Sequence, residues 1–503
     1  VTWQFTGYGQ VHREFDAYYD WMHHGESYAY LYYLALADPT HYMDRQRMLR
    51  FAAMYTGDDP KAPNWDPALK MIRSPINGSR GPCFEMTAED WVTHRPVLAN
   101  YLSPYEDVPG HPLSDPLAAL DWNDDETFAR ILALMNARMV PGDVPLNLHA
   151  TSLVASAYLK TGEERYRRWV LDYLAAWSER TAQNGGIMPD NVGPTGQIGE
   201  RMDGKWWGGY YGWRWPHGAW MILEATLNAG ANATLLTGDP AWLNLHRSQA
   251  DMLWSLRCED GSTPRTPARY GDVGWFDYRP PMADPYVHLW FVGRSAADRA
   301  RIEERFPDRD GWRSGALGWY RFAVDGAHPD YPDRVCDETY AEICRRLGMI
   351  EADDWDALEE WDVHHWQARN PVVPWGLAQM ALGTPGALYH GGLLHASVRY
   401  FDPTAGRPGL PAHVAALVER VGAESVRLLL VNTDPLAAHD VVVQAGSFGE
   451  HAFTEARLVG EREPVAVDGP VLRMALGPAA QAALELGLAR YVNLPTYAFP
   501  PLK

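Results

Sequence analysis

Apolar residues recur along much of the chain at helical spacing. Tyr166, Trp169, Val170, Tyr173, Leu174 and Trp177 fall at i, i+3, i+4, i+7, i+8 and i+11, one stripe of a 3.6-residue helix. Phe128, Ile131, Leu132 and Met135 mark a second helix over 124–139. Residues 14–37 carry aromatic and apolar positions at the same period, with Gly25 predicted to divide two helices. Further helices are predicted over 42–55, 147–159 and 216–227, the last opening on Pro216. Residues 57–67 read as a turn-rich loop, and 74–120 hold so many prolines and glycines that an irregular course is expected.

The joints between helices repeat. A helix ends in a short turn with an acidic residue, and an aromatic residue opens the next helix. This occurs at Asp38-Pro39-Thr40-His41-Tyr42, at Thr161-Gly162-Glu163-Glu164-Arg165-Tyr166, and at Thr237-Gly238-Asp239-Pro240-Ala241-Trp242. Glycine closes one helix, and Asp or Thr caps the next. Such helical hairpins stack into an open solenoid or a closed toroid. Long aromatic, glycine-rich loops between them favour the toroid, where they gather at one mouth. After residue 406 the pattern changes. A short linking helix is expected at 410–420, and then period-2 runs at 426–432, 439–444, 452–458 and 471–476 read as strands. The prediction is a mainly α fold: an (α/α) toroid of helical hairpins over 1–406, a linker helix within 407–424, and a C-terminal antiparallel β-sandwich over 425–503 that caps it.

One long segment, 185–230, departs from the helical period. Trp206, Trp207, Tyr210, Tyr211, Trp213 and Trp215 crowd its centre, interrupted by Gly208, Gly209 and Gly212 and accompanied by Asn191, Arg214 and His217. Irregular segments of this length are usually functional or disordered, and so many aromatic rings argue against disorder. The plainer reading is a large loop packing its rings over a helical core.

Composition narrows the functional classes. At 503 residues the chain exceeds one ordinary core, so two domains are expected. Its 22 Trp and 26 Tyr favour carbohydrate as partner, because the C–H faces of sugar rings stack on aromatic faces. The formal net charge of −20 argues against nucleic acid or an anionic membrane, and weighs against an acidic polymer unless a local basic cleft overrides it. No apolar run reaches transmembrane length. The four cysteines form neither a disulfide framework nor a zinc pattern, and they set no compartment. The first ten residues do not read as a signal peptide, so a secreted or periplasmic location would require a leader already removed; the other expectation is the cytoplasm. No cofactor is called for, although a structural cation is compatible with the pattern.

Two polar clusters carry candidate chemistry. Asn147 and His149 stand at the start of one predicted helix, and Tyr210, Tyr211, Arg214 and His217 just before another. An Asn-x-His leading into a helix, followed by an aromatic stretch with Tyr, Arg and His leading into a second, resembles the polysaccharide lyases of the α/α-toroid type, such as the alginate, glucuronan, chondroitin and xanthan lyases. Leu148 replaces the second Asn of the alginate-lyase motif, and the order of Tyr and Arg differs. The resemblance implies β-elimination on a polysaccharide that contains uronic acid. Asn147 and Asn191 would bind the carboxylate with Arg214 nearby, while His149 or His217 and Tyr210 or Tyr211 would carry the proton. Trp206, Trp207, Trp213 and Trp215 would bind the sugar rings.

Two alternatives stand beside this. An inverting glycosidase would need a carboxylate pair, with Asp190, Glu200, Asp203, Asp337 and Glu338 as candidates. A non-catalytic carbohydrate-binding helical protein would need only the aromatics. His23-His24 with Glu26, and His364-His365, are read as structural, because adjacent histidines leave a helix on different sides.

Overall fold

The computed structural model describes residues 18–500, apart from 92–93, 113, 261–262, 359–360 and 362–364. The expected helices form where the stripes lie. Glu164–Gln183 buries Tyr166, Trp169, Val170, Tyr173, Leu174 and Trp177, the predicted set. Gly162, in the left-handed region at φ 70°, ends the preceding helix Ala150–Thr161 and lets the chain reverse. Ala219–Thr237 is apolar almost all round and buries nearly every residue, as befits a central helix. It begins at Ala219 after Gly218, three residues later than Pro216 suggested. Ala150–Thr161 packs against Tyr42–Thr56, Glu164–Gln183 and Ala219–Thr237, so the hairpins share one core.

Gly25 does not divide two helices. A single helix, Trp21–Ala37, runs through it, capped by Asp20. A Cβ on Gly25 would stand 2.3 Å from the backbone oxygen of His390. The glycine is a point of close backbone approach rather than a break.

The closed toroid is not what the chain forms. The structure is 40% helix and 18% strand, with a helix-rich N-terminal region followed by a C-terminal β-sheet region. The helical series is interrupted by a three-stranded antiparallel sheet, Cys258–Asp260, Thr263–Gly271 and Gly274–Arg279. Its polar, arginine-bearing strands hid among turn signals in the sequence. The linker helix is likewise corrected: Val414–Val421 is a strand, paired with Ser425–Asn432 through Val418↔Leu428. Its buried positions, Val414, Val418 and Val421, are three and four apart and therefore mimic a helical period.

Strands in this region begin at Val398, earlier than the predicted 425, and form two antiparallel sheets. In one, Ser425–Asn432 lies between Val414–Val421 and Gln481–Ala489. In the other, His439–Ala445 lies between Val398–Asp402 and Val471–Leu476. Val426, Leu428, Leu430, Leu484 and Leu486 point inward and join the core of the helical region. The join is also polar: the Tyr497 and Ser156 hydroxyls are 2.8 Å apart, and Arg490 donates to the Val292 carbonyl at 2.7 Å. Among the described residues no helix is long and apolar enough to cross a membrane.

Candidate functional site

The irregular 185–218 segment is organised by one buried carboxylate. Asp190 accepts from the backbone N–H groups of Gly208, Gly209 and Trp213 at 3.1, 2.9 and 2.8 Å. A Cβ at Gly209 or Gly212 would collide with Asp190 itself, which explains the glycines between the aromatics. Burial raises the Asp190 carboxyl to about 6, against the opposing pull of those N–H groups. Asp190 is therefore the loop's anchor.

Several of the predicted site residues belong to this scaffold. Arg214 is 1% exposed; it pairs with Glu106 at 2.7 Å and donates to the carbonyls of Ser103 and Pro116. Asn191 donates to the Lys205 carbonyl at 3.1 Å. Asn147 donates to buried Asp143 at 2.8 Å. Trp213 is buried with its Nε1 on the Met188 carbonyl, and Trp215 stacks on Trp122 at 5.8 Å. Trp206 and Trp207 are half-buried against Tyr270, at 4.5 and 5.1 Å, and Trp207 donates to Asp272. Their rings contact this hairpin rather than the histidines described next.

His149, Tyr210, Tyr211 and His217 do come together, in company the sequence reading had not assembled. Ring contacts run without interruption from Tyr210 to Tyr211 (4.9 Å), to His217 (5.6 Å), to Trp220 (5.5 Å), to His390 (5.3 Å) and to His149 (5.7 Å). Tyr101 adds a contact to His217 at 5.8 Å. At one end Asp20 caps its helix and accepts from Tyr210 and from His23 Nδ1, both at 2.9 Å. Burial opposes that ion pair, yet the Asp20 charge and hydrogen bond raise His23 and the His23 charge lowers Asp20. At the other end Glu224, 3% exposed on the central helix, accepts from the His390 backbone N–H and from His390 Nδ1, both at 2.9 Å. Burial alone would raise Glu224; the His390 charge and hydrogen bonds outweigh it and hold the carboxyl at about 2. Half-buried His217 and Trp220 and mostly exposed Tyr389 open the row to solvent.

The hydrogen bonds define what the rings can do. His390 Nδ1–H donates to the Glu224 carboxylate, so the neutral ring carries its lone pair on Nε2. The Asn228 amide nitrogen lies 3.0 Å from His149 Nδ1, which must accept, so His149 carries its hydrogen on Nε2. Both Nε2 atoms are buried without a hydrogen-bond partner. Burial, more than any charge, depresses His149 to about 3, and burial followed by the His390 charge depresses His217 to about 4, so both are neutral at pH 7. Burial raises both tyrosine hydroxyls well above the usual phenol value. The Tyr210 hydroxyl is committed to Asp20.

Glu338 receives the Trp312 indole N–H at the surface, Glu200 receives Thr195, Asp337 and Asp203 are exposed, and Asp190 is buried in its loop. His24 donates to the Asn77 carbonyl and stacks on Tyr28, while its neighbour His23 reaches the end of the row through Asp20. His365 pairs with Asp353 at 3.0 Å, whereas His364 lies outside the described residues. Among the described residues no group of His, Cys, Asp and Glu is arranged to hold a metal ion.

Glu224, Asn228, Trp220 and His390 were missed. A lone glutamate inside the apolar run Trp220 to Leu227 was a signal, since a charged residue there must be paired or functional. His390 sits in a glycine-bounded loop far along the chain and gave no such sign.

No curated protein matches the chain. A family described as a domain of unknown function, DUF8034, matches residues 1–268 and 257–378, a span that takes in His149, His217 and Glu224 but ends before His390. The chain belongs to this DUF8034 family.

Proposed function

We propose that the chain is a polysaccharide lyase that cleaves a uronic-acid-containing glycan by β-elimination at the His149–His217–His390 row. One observation carries this reading: two adjacent buried histidines offer opposite faces, a basic Nε2 on His390 and a donor Nε2–H on His149. Buried ring nitrogens without protein partners call for a water, an ion or a ligand to complete them; His24, His111 and His246 share the feature, but among the described residues only His149 and His390 bring two such nitrogens on adjacent rings. In the reaction, His390 Nε2 takes the proton from C5 of the uronate, and Glu224 stabilises the imidazolium that forms. Negative charge moves onto the carboxylate, where His149 Nε2–H hydrogen-bonds it. The C4–O4 bond breaks as the C4–C5 double bond forms, and the leaving oxygen takes the Tyr211 hydroxyl proton. Trp220, Tyr101 and Tyr389 provide ring faces for the sugar. The carboxylate-binding roles that the resemblance implied for Asn147, Asn191 and Arg214 pass to His149, because those three are hydrogen-bonded into the scaffold.

Screening alginate, glucuronan, ulvan and related glycans tests this, with ultraviolet absorbance of an unsaturated uronide as the readout. New reducing ends without that absorbance would sink it. That outcome would favour hydrolysis, a second reading with a specific observation behind it. Burial, then the Glu26 charge and hydrogen bond, raise the Tyr389 hydroxyl, and the Glu224 charge adds to this, so Glu26 and Glu224 are the two carboxylates that hydrolysis would draw on.

A further inference from the structure

A run of buried hydroxyls and amides behind His149 has no role in the chemistry just described, yet its hydrogen-bond directions follow from a single carbonyl. Thr151 Oγ1 is 2.6 Å from the Leu148 carbonyl oxygen, which can only accept, so Thr151 spends its proton there. Its oxygen must then accept from Asn232 at 3.0 Å, which makes the facing Asn232 atom the amide nitrogen. That same nitrogen lies 3.0 Å from Ser152 Oγ, so Ser152 also accepts. Ser152 directs its own proton to Asn228 at 3.0 Å, and the receiving atom is therefore Oδ1. The amide nitrogen of Asn228 is left facing His149 Nδ1 at 3.0 Å. Every side chain in the series is buried. Flipping either amide would set donor against donor or acceptor against acceptor at a buried contact, which costs on the order of 1–3 kcal/mol per group.

We infer that Asn228 is a positioning residue, held by Asn232, Ser152 and Thr151, which locks His149 as a neutral Nε2–H donor toward an anionic oxygen of the ligand. The lock also excludes the imidazolium, because a proton on Nδ1 would oppose the Asn228 N–H. The depressed pKa of His149, caused first by burial, agrees in direction. A neutral donor lets the site strengthen its hydrogen bond as charge develops on the substrate, without holding a fixed positive charge that a carboxylate would bind equally in ground and transition states. The catalytic use of this donor rests on the lyase reading; the lock itself does not.

The test is nitrogen NMR of the full chain carrying ring-labelled histidine, with His149→Gln used to assign the signal. The wild type is expected to show His149 as the Nε2–H tautomer from pH 5 to 9. Asn228→Asp keeps the Ser152 and Asn232 partners but presents an acceptor to Nδ1, and is expected to convert His149 to the Nδ1–H tautomer or the imidazolium. A wild-type His149 that is Nδ1-protonated, or that titrates near 6.5, overturns the inference, and that measurement does not depend on the variant folding. An Asn228→Asp protein with an unchanged His149 signal overturns it as well. On an active glycan, kcat should fall roughly 10²–10³-fold in Asn228→Asp, the scale of one lost oxyanion donor. A locked tautomer in a chain that yields no unsaturated uronide would leave the positioning intact and remove the lyase reading.

Discussion

Replacing Glu224 with Gln tests the structure at its most constrained charge. Glu224 is 3% exposed, and its carboxyl is held at about 2 against an ordinary 4.5. At 1.36 kcal/mol per pKa unit, that preference for the charged form is about 3 kcal/mol. Because the folded value is depressed, this stabilisation is lost as pH falls from 4.5 through about 2, and its Coulombic part is present only while His390 carries its charge. At pH 7, where His390 is the neutral base, the variant disturbs the two hydrogen bonds to His390 rather than an ion pair, and should lose about 1–3 kcal/mol of stability. The chemical effect is larger. The glutamine oxygen can still accept the His390 backbone N–H, but its NH₂ then faces His390 Nδ1, now 2.9 Å from Glu224 Oε2. Nδ1 must accept, the ring hydrogen moves to Nε2, and the base becomes a donor. Turnover should drop about 10²–10⁴-fold, the usual contribution of one acid–base group, while thermal melts show a folded protein. Glu224→Asp keeps the charge and should retain more activity than Glu224→Gln. Turnover in Glu224→Gln within about threefold of wild type would refute the assignment of His390 as base.

Tyr211→Phe should lower turnover about 10²–10⁴-fold with little change in melting, whereas Tyr210→Phe should cost mainly the hydrogen bond to Asp20, about 1–2 kcal/mol of stability by thermal melt. Arg214→Met should unfold the protein more readily rather than change its chemistry, because it strands Glu106; about 3–5 kcal/mol by denaturant titration is expected. Gly25→Ala places a Cβ against the His390 carbonyl and should cost about 1–3 kcal/mol while displacing His390, so stability and turnover fall together. The pH dependence of stability follows from the buried histidines. His149 is depressed to about 3, and His24, His217, His246, His288 and His395 to about 4, mainly by burial, so the unfolded chain binds more protons than the fold below 6.5. Asp143 and Asp190, raised to about 6, and Glu450, raised to about 7, oppose this, but the histidines are more numerous. The melting temperature should fall as pH drops from 6.5 toward 4; a melting temperature that holds level or rises over that range would contradict the burial of these rings.

Much of the helical region was legible because a long apolar stripe has one period and one explanation. The Tyr166–Trp177 face and the Thr161-Gly162 turn formed as read. The toroid was not, because hairpin turns specify local reversal and say nothing of ring closure. Val414, Val418 and Val421 read as helical for a physical reason: a bulge at Val418/Arg420 breaks the two-residue alternation of that strand. At the site, the sequence brought forward residues that cluster in the chain, and proximity along the chain separated poorly what scaffolds the loop from what joins the histidine row. Arg214 and His217 are three apart, yet one is buried against Glu106 and the other faces Trp220 and Tyr211. Glu224 and His390 are 166 residues apart and meet only in the fold.

The central claim is that His390, oriented by Glu224, removes a proton from a uronate while His149 neutralises its carboxylate. The most direct measurement follows unsaturated uronide by ultraviolet absorbance for wild type and His390→Ala side by side on a uronic-acid glycan, with thermal melts of both. The account predicts that the wild type forms the product and that His390→Ala, still folded, forms it about 10²–10⁴-fold more slowly. Equal rates in the two proteins, or depolymerisation by the wild type without the absorbance, would contradict it.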